Sequence, residues 1–514
     1  MTGNRLEMVE REKWQFWIDR GGTFTDVIAL APDGRLTVHK LLSVAKDLYA
    51  DAAIEGIKRL LNQGGMKSIE DNLIEGVRMG TTIGTNALLE RKGDRTLLVV
   101  NRGFGDALRI AYQNRPDIFA LEIVLPSMLY EHAIEISGRM SADGEEVEAL
   151  NLREARALLQ AEYERGFRSV AIVLMHSDRY PGHERQIAAL AREIGFSQIS
   201  ASHDVSPLIK FVSRGDTTVA DAYLTPLLTR YLDELSANLP ATKLFFMQSN
   251  GSLTPANRFR GRDCLLSGPA GGVVAAAKTA KLAGYDKVIG FDMGGTSTDV
   301  SHYAGEYERS LENVIAGVRI RAPMMAVHTV AAGGGSILSF DGERCRVGPH
   351  SAGADPGPAC YRKGGPLTVT DCNVMLGRVQ PQFFPRIFGA RHDQAIDLDV
   401  VHQKFSLLKQ EMASASGCER TAEEIAEGFL EIAVETMANA VRKISTERGY
   451  DLRDYALAAF GGAGGQHACA MAEKLGIRTI LIHPLAGVLS AFGIGIADTG
   501  LIRNKSIEMP LDKH

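Results

Sequence analysis

The chain is poor in cysteine, lacks long apolar runs and carries no excess of positive charge. Its six cysteines, at positions 264, 345, 360, 372, 418 and 469, form no C-x-x-C pair. That spacing excludes a zinc knuckle or a disulfide framework and leaves free, mostly buried thiols of a reducing cytosol. No stretch approaches the roughly 20 apolar residues that a membrane span needs. Residues 1–15 are polar and charged without an apolar h-region, so no secretory signal is expected and the chain is expected in the cytoplasm. With 57 Lys and Arg against 62 Asp and Glu the net charge is −5, which leaves no basic surplus for nucleic acid or an anionic membrane.

What is present is length and glycine. At 514 residues the chain is too long for one hydrophobic core, so two or more domains are expected. Apolar residues at 45% and charged residues at 23% describe an ordinary globular protein. The 53 glycines exceed the usual share of about 7%. They occur as short clusters inside structured stretches, which points to tight loops around a ligand rather than to a flexible linker.

Two segments far apart read almost identically. Residues 19–27 are DRGGTFTDV and residues 292–300 are DMGGTSTDV, with seven of nine positions in common, which marks an internal duplication. Each follows an apolar run (16–18 and 288–291) and precedes another (27–30 and 300–303). In the first copy the turn 31–34 then leads to a third β-prone run, 36–42. The glycine loop therefore sits at a hairpin tip, not between a strand and a helix as in a P-loop or dinucleotide fold. At the tips Gly21, Gly22, Gly294 and Gly295 let backbone N–H groups approach phosphate oxygens, and Thr23, Thr25, Thr296 and Thr298 add hydroxyl donors. Asp19 and Asp292 are placed to hold Mg²⁺ directly or through water. Two structural hairpins would account for the glycines, but not for two acids and two threonines at each tip.

A third cluster, Gly461, Gly462, Gly464 and Gly465, follows the apolar run 455–460 and precedes a helical stretch, 466–475. A strand, glycine turn and helix of this kind can pack against a purine and ribose; alone, it is as readily a packing feature. Thr81 and Thr82 open a helix that they can cap while also binding an anion. Asn250, in 248–251, and Ser267 and Gly268, in 267–271, flank apolar segments in the same way and are candidate substrate or cleft residues. Gly333–Gly335 forms a further close-approach loop. Cys360 stands in a proline-stiffened stretch with no histidine fixed beside it, and reads as a structural thiol. His302, His328, His350 and His467 lack metal-ligand spacing and read as structural. Further expected elements are helices over 47–63, 151–165 and 182–194, a strand–helix unit over 77–90, a buried strand over 169–175 and a long helix over 421–448 capped by Gly449.

These loops resemble those of the actin, sugar-kinase and heat-shock ATPase superfamily, and within it the sequence is similar to the hydantoinase A and 5-oxoprolinase family. The similarity is carried by FWIDRGGTFTDV (16–27), RMGTTIGTNALLERKG (78–93), ADAYLTP (220–226), LSGPAGGVV (266–274), VIGFDMGGTSTDVS (288–301), TVAAGGGSIL (329–338), GADPGPACYRKGGPLTVTD (353–371) and FGGAGGQHACA (460–470). It runs from about residue 16 to residue 497. The resemblance implies an α/β fold of two duplicated actin-like (ribonuclease-H-like) ATPase domains flanking a nucleotide cleft. The expected division is 1–205, with the first phosphate hairpin, and 206–514, with the second hairpin and the adenosine-side glycine loop.

The resemblance further implies ATP and Mg²⁺ as cofactors and a small cyclic amide as substrate, 5-oxo-L-proline being opened to L-glutamate within glutathione metabolism. In that picture ATP phosphorylates the amide oxygen and water attacks the activated carbon. Asp19 and Asp292 hold Mg²⁺ and orient the transfer, while Asp26 and Asp299 brace the loops. Family members carry a further C-terminal domain or a hydantoinase B-like half, which this chain, ending at His514, is expected to take from a hydantoinase B-like subunit; a homo-oligomer is the other expected assembly. Hydantoin or N-methylhydantoin hydrolysis and ATP-dependent ketone carboxylation would use the same loops. A nucleotide-binding regulatory protein without chemistry is the alternative of another class.

Overall fold

The computed structural model describes residues 13–45, 47–66, 73–113, 118–125, 127–384, 386–389, 393–417 and 419–508. Residues 1–12 and Cys418 lie outside that set. The remaining five cysteines are free, and no helix among the described residues is long and apolar enough to cross a membrane. The fold is mixed α/β, and its contacts divide it into two compact units at other places than the 205/206 boundary. One comprises 1–270, 309–325 and 497–514, and the other 271–308 and 326–496.

The first unit is built on a six-stranded sheet in the order Leu253–Pro255, Lys243–Met247, Ile74–Thr81, Trp14–Arg20, Phe24–Leu30, Leu36–Leu42. Trp14–Arg20 pairs antiparallel with Phe24–Leu30 and parallel with Ile74–Thr81. Along Phe24–Leu30 the side chains of Thr25, Val27 and Ala29 share one face of the strand and are buried. The helix Ala52–Gln63, capped by the Asp51 carboxylate on two backbone N–H groups, covers this face with Ile54, Ile57, Leu60 and Leu61. A second, all-parallel sheet runs Gln198–Ala201, Ser169–Val173, Thr96–Asn101, His132–Ile136.

The 28-residue helix Phe211–Asn238 serves both sheets: Ala220, Leu224 and Leu228 enter the core of the first, Val219 and Ala222 that of the second. Buried nearly all round in its first half, it exposes a polar face only in its second, at Thr229, Arg230, Asp233 and Glu234. The paired strands Arg309–Ile315 and Val318–Met325 add Ile320, Ala322 and Met324 to the first core.

The second unit has a five-stranded sheet in the order Val327–Val330, Thr298–Ala304, Lys287–Met293, Ala456–Phe460, Thr479–Leu481. Lys287–Met293 pairs antiparallel with Thr298–Ala304 and parallel with Ala456–Phe460. The helix Ala422–Ile444 lays Ile425, Phe429, Met437 and Val441 into its core. That helix starts with a capping box of Thr421 and Glu424, as the sequence pattern suggests, but ends at Ile444. Gly449, in the left-handed region, instead closes the short turn that follows, so the expected single helix to 448 is corrected to a helix plus a turn.

The duplication is visible in topology. In each unit the order is a parallel strand, the first hairpin strand, the second hairpin strand and a third antiparallel strand. Register repeats too: Asp19 faces Asp26 across the first hairpin and Asp292 faces Asp299 across the second. The copies differ in how the third strand is reached. In the first it follows a short turn, whereas in the second the chain first lays down 309–325 as part of the other unit.

Candidate active site

In the second unit two loops close on the hairpin tip. Gly334 and Gly335 donate their N–H groups to the carbonyls of Gly294 (3.1 Å) and Gly295 (2.6 Å), and Ala463 donates to the carbonyl of Met293 (2.9 Å). A planar trans peptide points its N–H opposite to its carbonyl, so the N–H groups of Gly295 and Thr296 are turned away from the 333–335 loop. Gly333 packs so closely that a Cβ there would lie 2.7 Å from the backbone of Thr296 and Ser297. On the other side Gly461, at φ +84°, lies against Asp292: a Cβ would sit 2.3 Å from Asp292 Oδ1 and 2.5 Å from the Met293 carbonyl. The helix after this turn begins at Gly464, two residues before the expected 466. Asp292, Gly294, Gly295, Thr296, Gly461, Gly462, Gly464 and Gly465 thus converge on one place.

Four glycines there and at the first tip have no reason within the fold. Gly295, Gly462 and Gly465 have nothing within 4 Å of where a Cβ would stand, and Gly22 has only the Asn86 amide at 4.0 Å. None has the positive φ that favours glycine. Thr23 and Thr296 are exposed beside them.

Thr25 and Thr298 are placed differently. Both are fully buried. The Thr25 hydroxyl meets that of Ser43 (2.9 Å), which in turn donates to the Gly21 carbonyl (2.7 Å). Thr298 donates to the Ala332 carbonyl and lies 3.4 Å from Met437 Sδ. These hydroxyls are engaged inside the protein, holding the tips. Ser43, a residue the sequence reading passed over, fixes the first tip through the Gly21 carbonyl; its place next to the end of the third strand was the available signal.

Around the first tip, Asp19 is half-buried with Oδ1 shut off from solvent and without a hydrogen-bond partner. Burial, then the negative charge of Asp26, push its pKa up to about 7. Asp26 is also raised by burial, against the opposing pull of Lys40 at 2.5 Å. Gly268 stands where a Cβ would come 3.1 Å from Asp19 Oδ1. Ser267 both accepts from the Thr81 N–H (3.0 Å) and donates to the Thr81 carbonyl (2.8 Å). Thr82 Oγ1 donates to the Arg20 carbonyl, while Thr81 Oγ1 accepts the Ile83 N–H at the helix start. Asp19, Gly21, Gly22, Thr23, Thr81, Thr82, Ser267 and Gly268 are therefore neighbours. Asn250 belongs to another loop, where its side chain accepts from Ser252 N–H (2.8 Å) and donates to Gln248 (3.1 Å).

Cys360, His302 and His467 are engaged inside the fold. Burial raises the Cys360 thiol far above its usual range, and its N–H, like that of Ala359, is bound by the Asp371 carboxylate. His302 bridges Glu308 (2.7 Å) and Tyr455 (2.8 Å). His467 is buried against Asn373, and burial depresses its pKa to about 4.

Residues 214–502 match the hydantoinase/oxoprolinase family, and residues 15–195 match the hydantoinase/oxoprolinase N-terminal region. The chain is 45% identical to 5-oxoprolinase 1 of Arabidopsis thaliana over 525 residues, covering 95% of the chain but 41% of that protein. It is 33% identical to the caprolactamase subunit alpha of Pseudomonas jessenii, with 98% of the chain and 73% of the relative covered. The crystal structure of the ATP-dependent caprolactamase of the same organism superposes with a TM-score of 0.81 at 32% identity, over 94% of this chain and 71% of that one. Nucleotide-free acetone carboxylase shares the fold, with a TM-score of 0.73 at 24% identity over 94% and 70%. The chain spans about two fifths of the length of the 5-oxoprolinase it matches. With a family match across more than half of its residues, the chain belongs to the hydantoinase/oxoprolinase family.

Proposed function

We propose that this chain is the ATP-binding part of an enzyme that opens a cyclic amide at the expense of ATP, with 5-oxo-L-proline as substrate and L-glutamate as product. The observation that carries the reading is the set of glycines at Gly22, Gly295, Gly462 and Gly465, which neither conformation nor packing requires. A ligand that must approach the backbone supplies the missing reason. At the second tip the N–H groups of Gly295 and Thr296 and the Thr296 hydroxyl are assigned to phosphate oxygens. The turn at Gly461–Gly465 is assigned to the nucleoside, where a flat base needs a surface without Cβ atoms. The first tip offers the same donors through Gly22 and Thr23.

Mg²⁺ fits the residues present. Asp19 Oδ1 is a buried oxygen without a partner, and a cation would relieve the burial that raises its pKa. Among the described residues no cluster of three or more His, Cys, Asp or Glu is placed to hold a metal ion. Mg²⁺ keeps waters and phosphate oxygens of its own and takes as few as one or two carboxylates. Bound there, it would neutralise phosphate charge; Asp19 is the carboxylate assigned to this role at the first tip, and Asp292 the one assigned to it at the second. The chain's own groups hold and orient the triphosphate, and the γ-phosphoryl passes to the amide oxygen of the substrate, creating the leaving group that water displaces.

The choice of a cyclic amide is supported by two relatives with different rings, a 5-oxoprolinase and a caprolactamase. The reaction is assigned to the chain together with a hydantoinase B-like partner, in the cytoplasm. The test is ATP hydrolysis with and without 5-oxo-L-proline, by the chain alone and with that partner. ADP release that depends on 5-oxoproline and yields glutamate supports the assignment. ATP binding that no lactam or hydantoin converts to turnover would reduce the chain to a nucleotide-binding protein.

A further inference from the structure

A seven-residue helix, Val369–Met375, is bonded to the 333–335 glycine loop at its start and, at Asn373, to the helix that begins at Gly464. At its start Thr370 is doubly bonded to the Gly334 carbonyl, through its N–H (2.7 Å) and its hydroxyl (2.8 Å). Gly334 in turn donates to Gly294 at the hairpin tip, so two hydrogen bonds separate Thr370 from the tip backbone. One turn later Asn373 Nδ2 lies 3.2 Å from His467 Nε2, on the helix that follows the Gly461–Gly465 turn. Both residues are fully buried, and Asn373 also donates to the Val369 carbonyl.

The helix itself is immobilised at its first turn. Thr368 and Asp371 form a capping box, and Asp371 also accepts the N–H groups of Ala359 (3.0 Å) and Cys360 (2.9 Å). A short helix pinned in this way acts as a crossbar between the 333–335 loop and the helix that carries the glycine turn at its start. The spacing between the loops is tight: a Cβ on Gly334 would stand 2.8 Å from Thr370 Oγ1 and 3.8 Å from Ala463 Cβ.

We propose that Thr370 and Asn373 are positioning residues that set the hairpin tip and the Gly461–Gly465 turn relative to one another for nucleotide. Neither touches the nucleotide in this account. Thr370 orients the tip by holding the Gly334 carbonyl, which leaves the N–H at the other end of that peptide, that of Gly335, aimed at the Gly295 carbonyl and the tip N–H groups facing outward. Asn373 fixes the start of the helix behind the glycine turn. The inference rests on the assignment of both loops to ATP, and it adds the element that couples them.

The experiment uses the 514-residue chain and three variants, Thr370→Val, Thr370→Ser and Asn373→Ala. Valine keeps the shape and removes the hydroxyl; serine restores the donor. Amide hydrogen exchange is followed without nucleotide at residues 293–298 and 461–467, with 19–26 of the first unit as reference. MgATP affinity is measured on the same samples by calorimetry. Thr370→Val is expected to speed exchange at 293–298 about tenfold and to weaken MgATP about tenfold, with 19–26 unchanged. Thr370→Ser is expected to return both to within about twofold of wild type, and Asn373→Ala to speed exchange at 461–467. Unchanged exchange in Thr370→Val, or a folded serine variant that fails to restore it, overturns the proposal. A wild-type chain that binds no MgATP refutes the ATP assignment instead, and the exchange data then still decide whether the crossbar holds the loops.

Discussion

Gly461 and Gly462 are neighbours whose replacement by alanine should have opposite consequences. Gly461 sits at φ +84°, where a side chain costs about 1–2 kcal/mol. Its Cβ would also stand 2.5 Å from the Met293 carbonyl and 2.3 Å from Asp292 Oδ1. The carboxylate can turn aside, but the carbonyl belongs to a strand paired on both sides and cannot. Forced overlap of this kind costs about 1–3 kcal/mol more, so Gly461→Ala should destabilise the second unit by roughly 2–5 kcal/mol. For a unit of this size that is a fall of roughly 5–15 °C in Tm. Gly462, exposed and with open space around it, should accept alanine within about 0.5 kcal/mol. Its new methyl group would instead project into the space assigned to nucleotide, weakening MgATP about tenfold or more. Differential scanning calorimetry gives the first quantity and titration calorimetry the second. A Gly461→Ala chain as stable as wild type would refute the close-approach argument. A Gly462→Ala chain that binds MgATP normally would refute the assignment of the turn.

Three further outcomes follow from single residues. Asp292→Ala should abolish ATP turnover with the fold intact, and wild-type ATPase activity in the variant would remove Asp292 from the mechanism. Asp19, with its pKa raised to about 7, holds a proton in the folded chain where the unfolded chain has lost it; stability should therefore fall as pH rises from about 4 to about 7, and Asp19→Asn should reduce that slope to the part left by the other buried carboxyls of the unit, such as Asp216, raised by burial to about 6. His467, depressed to about 4 from 6.5, is the reverse: the unfolded chain takes up the proton first, so the second unit should lose about 3 kcal/mol as pH falls from 6.5 to 4, and His467→Gln should flatten it. Because the two slopes oppose each other and lie in different units, hydrogen exchange resolved by unit is the measurement that separates them.

Most of the elements were legible because their signals are local. The strand Leu36–Leu42 and the helix Gly182–Ile194 fall where alternation and 3.6-residue spacing put them, and Asn151 caps Leu152–Glu164 with its own side chain. The helix expected over 47–63 starts only at Ala52, where Asp51 takes the cap; an isolated turn, with the Leu48 and Tyr49 N–H groups on the Ala45 carbonyl, precedes it without joining it. What could not be read was long-range. That residues 309–325 leave the second unit to join the first depends on contacts about a hundred residues apart, such as the Arg321 N–H on Thr217 Oγ1 (2.8 Å). Thr370 and Ser43 act through carbonyls of remote glycines, and no spacing rule connects them to a hairpin tip.

The repeated motif illustrates where a residue pattern ceases to specify a role. The place of the motif at two hairpin tips points all four threonines to phosphate, yet strand alternation already divides them. Thr25 shares its face with Val27 and Ala29, and Thr298 with Val300 and His302, all buried. A threonine on the face of the core must spend its hydroxyl there, because an unpaired buried hydroxyl costs about 1–3 kcal/mol. Ser43 and the Ala332 carbonyl are the partners that meet this requirement. Thr23 and Thr296, before the strands resume, carry no such obligation and remain exposed. The duplicated motif therefore contains two kinds of threonine. One holds the tip from inside, and the other is the exposed one assigned to phosphate under the proposed function. Thr296→Val should accordingly weaken MgATP with little change in stability, whereas Thr298→Val should lower stability by about 1–3 kcal/mol by leaving the Ala332 carbonyl unpaired. Equal effects of the two substitutions on binding and on melting would mean that the division by strand face is wrong.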